Sequence, residues 1–124
     1  MQSKEPKIVI ALKAARLAAK EILKFSRRMD KVKIYEKGPT DFVTQVDRIA
    51  ENIIISSISE SFPDSAFICE ESGKSGKEKS DLVWVIDPID GTTNFIHGFP
   101  YYSISIACYE KDVLSHGIIY DITR

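Results

Sequence analysis

One stretch decides how this chain folds and what it could bind: Leu82-Val83-Trp84-Val85-Ile86-Asp87-Pro88-Ile89-Asp90-Gly91-Thr92-Thr93-Asn94-Phe95. An apolar run leads into two carboxylates, and a glycine and three small hydrogen-bonding residues follow them. Pro88 favours an extended conformation for Asp87 and cannot donate to a ladder itself. We therefore expect the strand to end at Asp87 and Asp90 to come back beside it after a tight turn.

The two carboxylates predict a cation site. Two negative charges held close together repel each other unless a cation lies between them, and ligation by oxygen alone suits Mg²⁺. After Gly91, the backbone amides of residues 92–94 could open a short helix, which is a natural seat for phosphate. A metal beside an anion cradle predicts phosphoryl chemistry. The alternative is a plain polar turn, because Asp, Pro and Gly are all ordinary turn residues.

Two more acidic segments favour the cation site over the plain turn. Glu70 and Glu71 follow the apolar stretch 66–69, so a second strand also ends in carboxylates. Two strands of one sheet that both end in carboxylates can pool them in one site. The third acidic segment, which we place at the start of a helix, is Asp41-Phe42-Val43-Thr44-Gln45-Val46-Asp47.

Together these segments resemble the inositol monophosphatase family, in the family's order and close to its spacing. The motifs are Asp41-Phe42-Val43-Thr44 with Asp47, then Glu70-Glu71-Ser72, then Trp84 through Phe95. Bisphosphate nucleotidases and fructose bisphosphatases share Asp-Pro-x-Asp-Gly but usually differ just after it. The continuation here, Thr92-Thr93-Asn94-Phe95-Ile96-His97-Gly98-Phe99-Pro100, is similar to the inositol monophosphatase version. The resemblance extends from about the first helix to Arg124.

The resemblance implies a metal centre with two or three Mg²⁺ ions in a complete site. Glu70, Asp87 and the backbone carbonyl of Ile89 would hold one ion. Asp87 and Asp90 would share a second with an Asp that lies further along the chain in family members.

The resemblance also implies catalytic and phosphate-binding residues. The catalytic set is Glu70, Asp47 and Thr92, with the last two positioning the attacking water. The groups that would contact the substrate or its phosphate are Ile89, Asp90, Gly91, Thr92 and Thr93.

Structural alternatives stay open for several of these residues. Residues 44–47 also fit a helix capping box with Asp47 as its third helical residue, and Thr92 also fits a turn or an N-cap. Glu70 could be an exposed strand-end acid, and Glu71 could form a structural salt bridge or support the metal ligands. Lys37 could attract an anionic ester, but its spacing to the first acidic motif is one residue short. We interpret His97 and His116 as packed or surface residues.

The predicted fold class is α+β, with two helices packed on a mainly antiparallel sheet. By resemblance, this is the N-terminal part of a layered α-β-α-β-α fold. We predict helices at 6–28 and 44–61, strands at 31–37, 66–69 and 82–87, a polar loop at 73–81, and a hairpin of 102–109 with 113–120. The expected inward-facing residues are Ile8, Leu12, Ala15, Ala19, Ile22 and Leu23 in the first helix and Val46, Ile49, Ile53, Ile54 and Ile58 in the second.

Composition narrows the class of protein. With 44% hydrophobic and 28% charged residues and a net charge of −1, the chain has the make-up of a soluble globular protein. That charge predicts no strong attraction to nucleic acid, and we interpret the basic run Lys20, Lys24, Arg27, Arg28, Lys31 and Lys33 as a solvated helix end.

No segment has signal-peptide or transmembrane character, so we expect a cytoplasmic protein without membrane contact. Cys69 and Cys108 lie in apolar runs and are expected to be buried, reduced thiols.

The leading hypothesis is a Mg²⁺-dependent phosphomonoesterase that hydrolyses inositol monophosphates to inositol and phosphate with metal-activated water. A related sugar-phosphate or bisphosphate nucleotide phosphatase is the alternative enzyme, and a regulatory or RNA-processing partner on the same fold is the alternative of another class. Residues 1–124 are expected to be a single N-terminal domain carrying the metal-site half, since family members are about twice this length. We expect this piece alone to be nearly inactive and the full-length protein to be a homodimer.

Overall fold

Two long helices cover one face of a five-stranded sheet in the computed structural model, which describes residues 6–28, 32, 34–38 and 41–123. The elements, in chain order, are α1 Lys7–Ser26, β1 Ile34–Gly38, β2 Asp41–Thr44, α2 Gln45–Ser61, β3 Ala66–Cys69, β4 Gly73–Gly76, β5 Leu82–Asp90, α3 Thr92–Ile96, β6 Ser103–Glu110 and β7 Val113–Asp121.

The sheet has the strand order β4-β3-β5-β6-β7, and β1 and β2 form a separate antiparallel pair. Strands β3 and β5 run parallel, while the other three neighbouring pairs are antiparallel. The predicted α+β class and mainly antiparallel sheet are therefore confirmed. The predicted hairpin is β6–β7, and its turn places Lys111 and Asp112 at positive φ.

The core lies between the helices and one face of the sheet. The buried face of that sheet includes Phe67, Trp84, Ile86, Ile104 and Ile106. Side chains alternate across a strand, so the residues between these point to the opposite face, where Ile68 and Val85 are exposed. Within the core, the Trp84 indole N–H donates to the Ser65 hydroxyl at 3.0 Å, so the buried indole is satisfied.

The buried stripe of α1 is rotated from the predicted one. Its buried members are Ile10, Ala11, Ala14, Ala15, Ala18, Ala19 and Ile22, whereas Ile8 and Leu12 are only partly buried. The buried set on α2 is Val46, Asp47, Ala50, Glu51, Ile54 and Ile58, and Ile49 and Ile53 are partly buried. Five of the seven buried residues of α1 are alanines, whereas the buried face of α2 has only Ala50 and is formed mainly by larger side chains.

Two strands of the structure were not predicted from the sequence. Residues 73–81 were predicted as a polar loop, but Gly73–Gly76 forms β4, which pairs with β3 through its backbone. Gly76 has φ +78 and lies so close to Ser65 that an added Cβ would overlap the Ser65 carbonyl oxygen. The segment beginning at Asp41 was placed at a helix start, but Asp41–Thr44 is β2, and α2 begins only at Gln45. Neither strand carries an alternating apolar pattern that would have revealed it.

Other predictions can be compared with the structure directly. The first predicted strand, 31–37, corresponds to β1 at Ile34–Gly38, and residues 31 and 33 lie outside the described residues. Cys69 and Cys108 are free and buried, as predicted. Burial raises the pKa of both thiols to about 11. Among the described residues, no helix is long and apolar enough to cross a membrane.

Candidate metal centre

The acidic end of β5 differs from the prediction. The strand does not stop at Asp87 but continues to Asp90, because Asp87 pairs with Ser105 and Asp90 pairs with Ser103 on β6. The register shifts between these pairs, so Pro88 and the residue after it form a bulge. A bulge leaves residues out of the hydrogen-bonded ladder. Pro88 lies in the bulge, so its missing N–H removes no hydrogen bond between the strands. The two carboxylates are therefore separated by a bulge within one strand and not by a turn.

The parallel pair β3–β5 brings the second acidic segment to the same place. Cys69 is opposite Ile86, and the backbone N–H of Glu70 donates to the Ile86 carbonyl at 3.2 Å, one step beyond the last strand pair. Parallel strands end at the same edge of a sheet, so Glu70 lies beside the start of the Asp87 bulge. The backbone thus brings the two acidic segments to the same edge of the sheet, and the pooling of their acids in one site stays a prediction.

Electrostatics show that these acids act on one another. Burial raises the pKa of Asp87 from its usual 3.8 to about 6, and the negative charges of Asp90, Glu70 and Asp47 add to the rise, in that order. A hydrogen bond from the backbone of Ile89 acts in the opposite direction. The carboxylates are thus close enough to repel, which is the condition under which a divalent cation is stabilised between them.

Asp47 forms the predicted helix cap and also contacts Thr92. Its Oδ2 accepts the Thr44 backbone N–H at 2.8 Å and the Thr44 hydroxyl at 2.6 Å, which completes the predicted capping box of α2. Its Oδ1 accepts the hydroxyl of Thr92 at 3.1 Å. Burial raises the pKa of Asp47, while the hydrogen bonds from Thr44 and Thr92 act against that rise. The cap therefore also fixes the carboxylate that faces the candidate site.

The Thr92 hydroxyl joins the bulge to α2. It lies 3.1 Å from the carbonyl oxygen of Ile89 as well as 3.1 Å from Asp47 Oδ1. A hydroxyl has one hydrogen and a carbonyl oxygen has two lone pairs. The hydroxyl hydrogen can therefore go to only one of these two oxygens at a time, and when Asp47 accepts it, the lone pairs of the Ile89 carbonyl oxygen stay available to a cation.

Gly91 turns the chain between β5 and α3. It has φ +99, and a Cβ at this position would lie 2.8 Å from the Tyr101 carbonyl oxygen. That oxygen also accepts the side-chain amide of Asn94 at 2.9 Å. The predicted short helix is confirmed as α3, and Phe95 N–H donates to the Gly91 carbonyl at 3.0 Å. The amides of residues 92–94 lie in the first turn, where an α-helix supplies no backbone acceptor.

The donor set fits Mg²⁺ chemically, because every candidate ligand is a hard oxygen and three are carboxylates. Within the described residues, however, no three acidic, histidine or cysteine side chains converge on one point that could hold a metal ion. Glu70 and Asp90 are exposed and Asp87 is partly buried.

Several residues considered in the sequence lie apart from this cluster. His97 is exposed, and Nδ1 of His116 lies 2.6 Å from the neighbouring Ser115 hydroxyl, so both histidines match the packed or surface interpretation. The side chain of Lys37 lies outside the described residues. Lys20, Lys24, Arg27 and Arg28 are exposed at the end of α1, as expected of a solvated helix end, whereas Lys31 and Lys33 lie outside the described residues.

The sequence reasoning missed Glu51. Its carboxylate is buried, and Oε2 and Oε1 accept the backbone N–H groups of Glu71 at 2.7 Å and Ser72 at 3.1 Å. The signal was present, since Glu51 lies four residues after Asp47 and directly after Ala50, on the inward stripe of α2. An acid on such a stripe needs a partner, and here the partner is the turn that follows Glu70.

Similar proteins define the class of this fold. The Pseudomonas aeruginosa protein named Nus factor SuhB is 43% identical over 122 residues, covering 97% of this chain and 45% of that protein. The crystal structure of extragenic suppressor protein suhB from Bartonella henselae matches with a TM-score of 0.89 at 34% identity, covering 94% of this chain and 45% of that one. An IMPase from Thermotoga maritima matches with a TM-score of 0.81 at 35% identity, covering 94% of this chain and 44% of that one. The domain is thus the N-terminal part of the inositol monophosphatase and fructose bisphosphatase fold.

The sequence of this chain identifies its family within this fold. The sequence profile of the inositol monophosphatase family matches residues 3–124. The chain belongs to this family, as its motifs indicated. It spans less than half the length of the relatives described above.

Proposed function

We propose that this chain carries the metal-binding half of a Mg²⁺-dependent phosphomonoesterase that hydrolyses inositol monophosphates to inositol and phosphate. The observation that carries the proposal is the parallel pairing of β3 with β5, which brings Glu70 beside the start of the Asp87 bulge. Burial, and after it the charges of Asp90, Glu70 and Asp47, raise the pKa of Asp87 to about 6. Carboxylates kept close at such a cost are typical of functional sites.

The proposed ligands are Glu70, Asp87, Asp90 and the backbone carbonyl of Ile89. Asp87 lies at the centre of the set, since the charges of both Glu70 and Asp90 act on it. It is therefore the side chain we expect to contact more than one cation when two or three are present. Bound Mg²⁺ would supply the positive charge that activates water and stabilises the leaving oxygen of an in-line displacement.

Asp47 and Thr92 are proposed to position the attacking water. The Thr92 hydroxyl donates its hydrogen toward Asp47 Oδ1, which leaves its oxygen lone pairs available to accept a hydrogen from water. Asp47 is itself held by two contacts from Thr44, so the acceptor is fixed before substrate arrives. Glu70, at the end of β3, is proposed to act on the same water.

The phosphate is proposed to bind at the turn from β5 into α3. Gly91, Thr92 and Thr93 can present backbone amides there, next to Asp90 and the Ile89 carbonyl. Gly91 packs so closely against the Tyr101 carbonyl oxygen that a side chain would not fit at this turn. Inositol is the proposed alcohol because the family profile covers nearly the whole chain. A related sugar-phosphate or bisphosphate nucleotide phosphatase remains the alternative enzyme.

A cytoplasmic location and a homodimer at full length are part of the same proposal. The 124-residue chain is expected to be nearly inactive by itself, because Asp87 and Asp90 alone supply only two carboxylates to the second ion.

Phosphate release from inositol 1-phosphate, with and without Mg²⁺, tests the proposal. The assay compares the 124-residue chain with a version extended to the length of its relatives, and uses Asp90→Asn in the extended version as the blank. We expect Mg²⁺-dependent release by the extended version alone. Competition with sugar phosphates and 3′,5′-bisphosphate nucleotides separates the alternative enzymes. Release that is unchanged by Asp90→Asn or by removal of Mg²⁺ would contradict the proposed site.

The name of a relative supports a second candidate function. The Pseudomonas aeruginosa protein is a Nus factor by name, which favours a regulatory partner of transcription or RNA-processing proteins on the same fold. It also argues against the expectation, drawn from net charge, that the chain has no strong attraction to nucleic acid. Capture of transcription or ribosome-assembly proteins that persists in Asp90→Asn would support this function, and loss of capture in that variant would tie the interaction to the metal site.

A further inference from the structure

Glu51 reaches from the second turn of α2 to the turn that follows β3. Only 1% of the residue is exposed, and its two carboxylate oxygens accept the N–H groups of Glu71 and Ser72 at 2.7 and 3.1 Å. These are the two amides directly after Glu70. A single helix residue therefore holds the backbone on the C-terminal side of a proposed metal ligand, through amides 20 and 21 positions away in sequence.

The other side of Glu70 is held by the sheet. Its own N–H donates to the Ile86 carbonyl at 3.2 Å, so the backbone is fixed on both sides of this residue. The sheet alone would leave the next two amides without a strand partner, since β3 ends at Cys69. The pairing of Cys69 with Gly73 closes this turn, and Glu51 supplies the acceptors for the two amides inside it.

This arrangement has a cost that packing does not explain. Asp47 and Glu51 are four residues apart on α2, both carboxylic acids and both buried. Like charges at this spacing destabilise a helix, and buried carboxylates are costly unless they are hydrogen-bonded. Each acid instead contacts a different part of the candidate site, Asp47 through Thr92 and Glu51 through the turn after Glu70. The helix thus links both parts of the site.

We infer that Glu51 is a positioning residue for the metal centre, which acts by fixing the turn that orients Glu70. This inference rests on the proposed function, because Glu70 must be a Mg²⁺ ligand. Groups that orient metal ligands typically change metal affinity by about 10- to 100-fold when they are removed.

Glu51→Gln is the most informative substitution. The side chain keeps its length, but one of its two acceptors becomes a donor, which would face a backbone N–H. The turn loses one of its two bonds, so Glu70 is no longer held in one orientation. We expect the Kd for Mg²⁺, measured by calorimetry on the 124-residue chain, to rise by about tenfold or more. Amide hydrogen exchange at Glu71 and Ser72 should accelerate in the same variant.

Ser65→Ala is the matched control. Ser65 is also 1% exposed, and its hydroxyl accepts the buried Trp84 indole N–H. It precedes β3, at the opposite end of that strand from Glu70. Loss of the Ser65 hydroxyl should lower the free energy of unfolding without changing the Kd for Mg²⁺. The Kd is measured under conditions in which all variants are folded. Should Glu51→Gln fail to fold, Glu51→Asp takes its place, since it draws the carboxylate back by one methylene.

A double-mutant cycle with Glu70→Gln completes the test. If Glu51 acts through Glu70, Glu51→Gln should raise the Kd much less in the Glu70→Gln background than in the parent. Equal increases in both backgrounds, or the same Kd in Glu51→Gln as in Ser65→Ala, would overturn the inference while leaving the metal site intact. A parent chain that does not bind Mg²⁺ would instead overturn the proposed function on which the inference rests.

Discussion

The Thr92 hydroxyl lies 3.1 Å from Asp47 Oδ1, although the two residues are 45 positions apart in the chain. One residue begins α3 after the acidic bulge, and the other lies in the first turn of α2. Their contact joins the turn proposed for phosphate to the helix that carries both buried acids. It also places a hydroxyl and a carboxylate where a water molecule could be oriented.

Removing the hydroxyl should have separate effects on stability and on activity. Thr92→Val leaves Asp47 Oδ1 without its donor, and we expect the free energy of unfolding to fall by about 1–2 kcal/mol. Thr92→Ser retains the hydroxyl and should lose much less. In the extended version, Thr92→Val should slow phosphate release by about a hundredfold or more. Denaturant unfolding and the phosphate assay measure the two effects, and equal activity of Thr92→Val and Thr92→Ser would exclude a role for the hydroxyl.

The raised pKa of Asp87 predicts a pH dependence of stability. Its pKa is about 6 in the folded chain and near 3.8 when unperturbed, so between these values the folded state binds a proton that the unfolded state has released. The free energy of unfolding of the metal-free protein should therefore fall as pH rises from about 4 to about 6. Asp87→Asn should lack this component and be more stable than the parent at pH 7 without Mg²⁺.

Thermal unfolding of the parent and Asp87→Asn across pH 4 to 7, in the presence of a chelator, measures this difference. The melting temperatures of the two proteins should differ least near pH 4 and most near pH 7. A constant difference across the range would mean that Asp87 titrates at its ordinary value, so that neither burial nor the neighbouring acids raise its pKa.

The turn at Gly91 should not tolerate a side chain. Gly91→Ala combines positive φ with a Cβ that would lie 2.8 Å from the Tyr101 carbonyl oxygen, whereas Gly98 has φ +74 and no atom within 4 Å of an added Cβ. Gly98→Ala should cost about 1 kcal/mol from backbone strain alone. Gly91→Ala should cost more, because the backbone must also shift. Denaturant unfolding of the two variants measures both, and equal losses would show that the Tyr101 contact is unimportant.

The edge of the sheet predicts self-association of the 124-residue chain. Among the described residues, β7 pairs with β6 on one side only, and Ile119 on this strand is 79% exposed. An unpaired edge with exposed apolar side chains favours pairing with another chain. Sedimentation velocity should show concentration-dependent association that Ile119→Lys weakens. Association that Ile119→Lys leaves unchanged would indicate that another surface is responsible.

Much of the fold could be predicted because its signals are local. The apolar run before Asp87 and the periodic stripes of α1 and α2 depend only on the order of residues. β4 could not be recognised, since Gly73–Gly76 pairs through its backbone and carries no apolar pattern. The extension of β5 through Pro88 could not be predicted, because a bulge depends on the partner strand. Here β6 supplies Ser105, which pairs before the bulge, and Ser103, which pairs after it.

The site was predictable to a similar extent. The motifs singled out Asp47, Glu70 and Asp87, and in the structure the charges of Asp47 and Glu70 act on Asp87. The sequence could not show that Asp47 serves the helix cap and Thr92 together, because each of its oxygens has a different partner. Glu51 was overlooked since an acid within a helix usually indicates a solvated face, and its partners lie 20 and 21 positions away.

The central claim is that the acids at the end of β3 and β5 bind Mg²⁺, with Asp87 as the principal ligand. Calorimetric titration of Mg²⁺ into the 124-residue chain at pH 7, beside Asp87→Asn, tests this most directly. We predict saturable binding by the parent and a large loss of affinity in Asp87→Asn. Millimolar Mg²⁺ should also raise the melting temperature of the parent alone, because it binds the folded chain and not the unfolded one. The same Mg²⁺ affinity in both proteins, or no binding by the parent, would contradict the account.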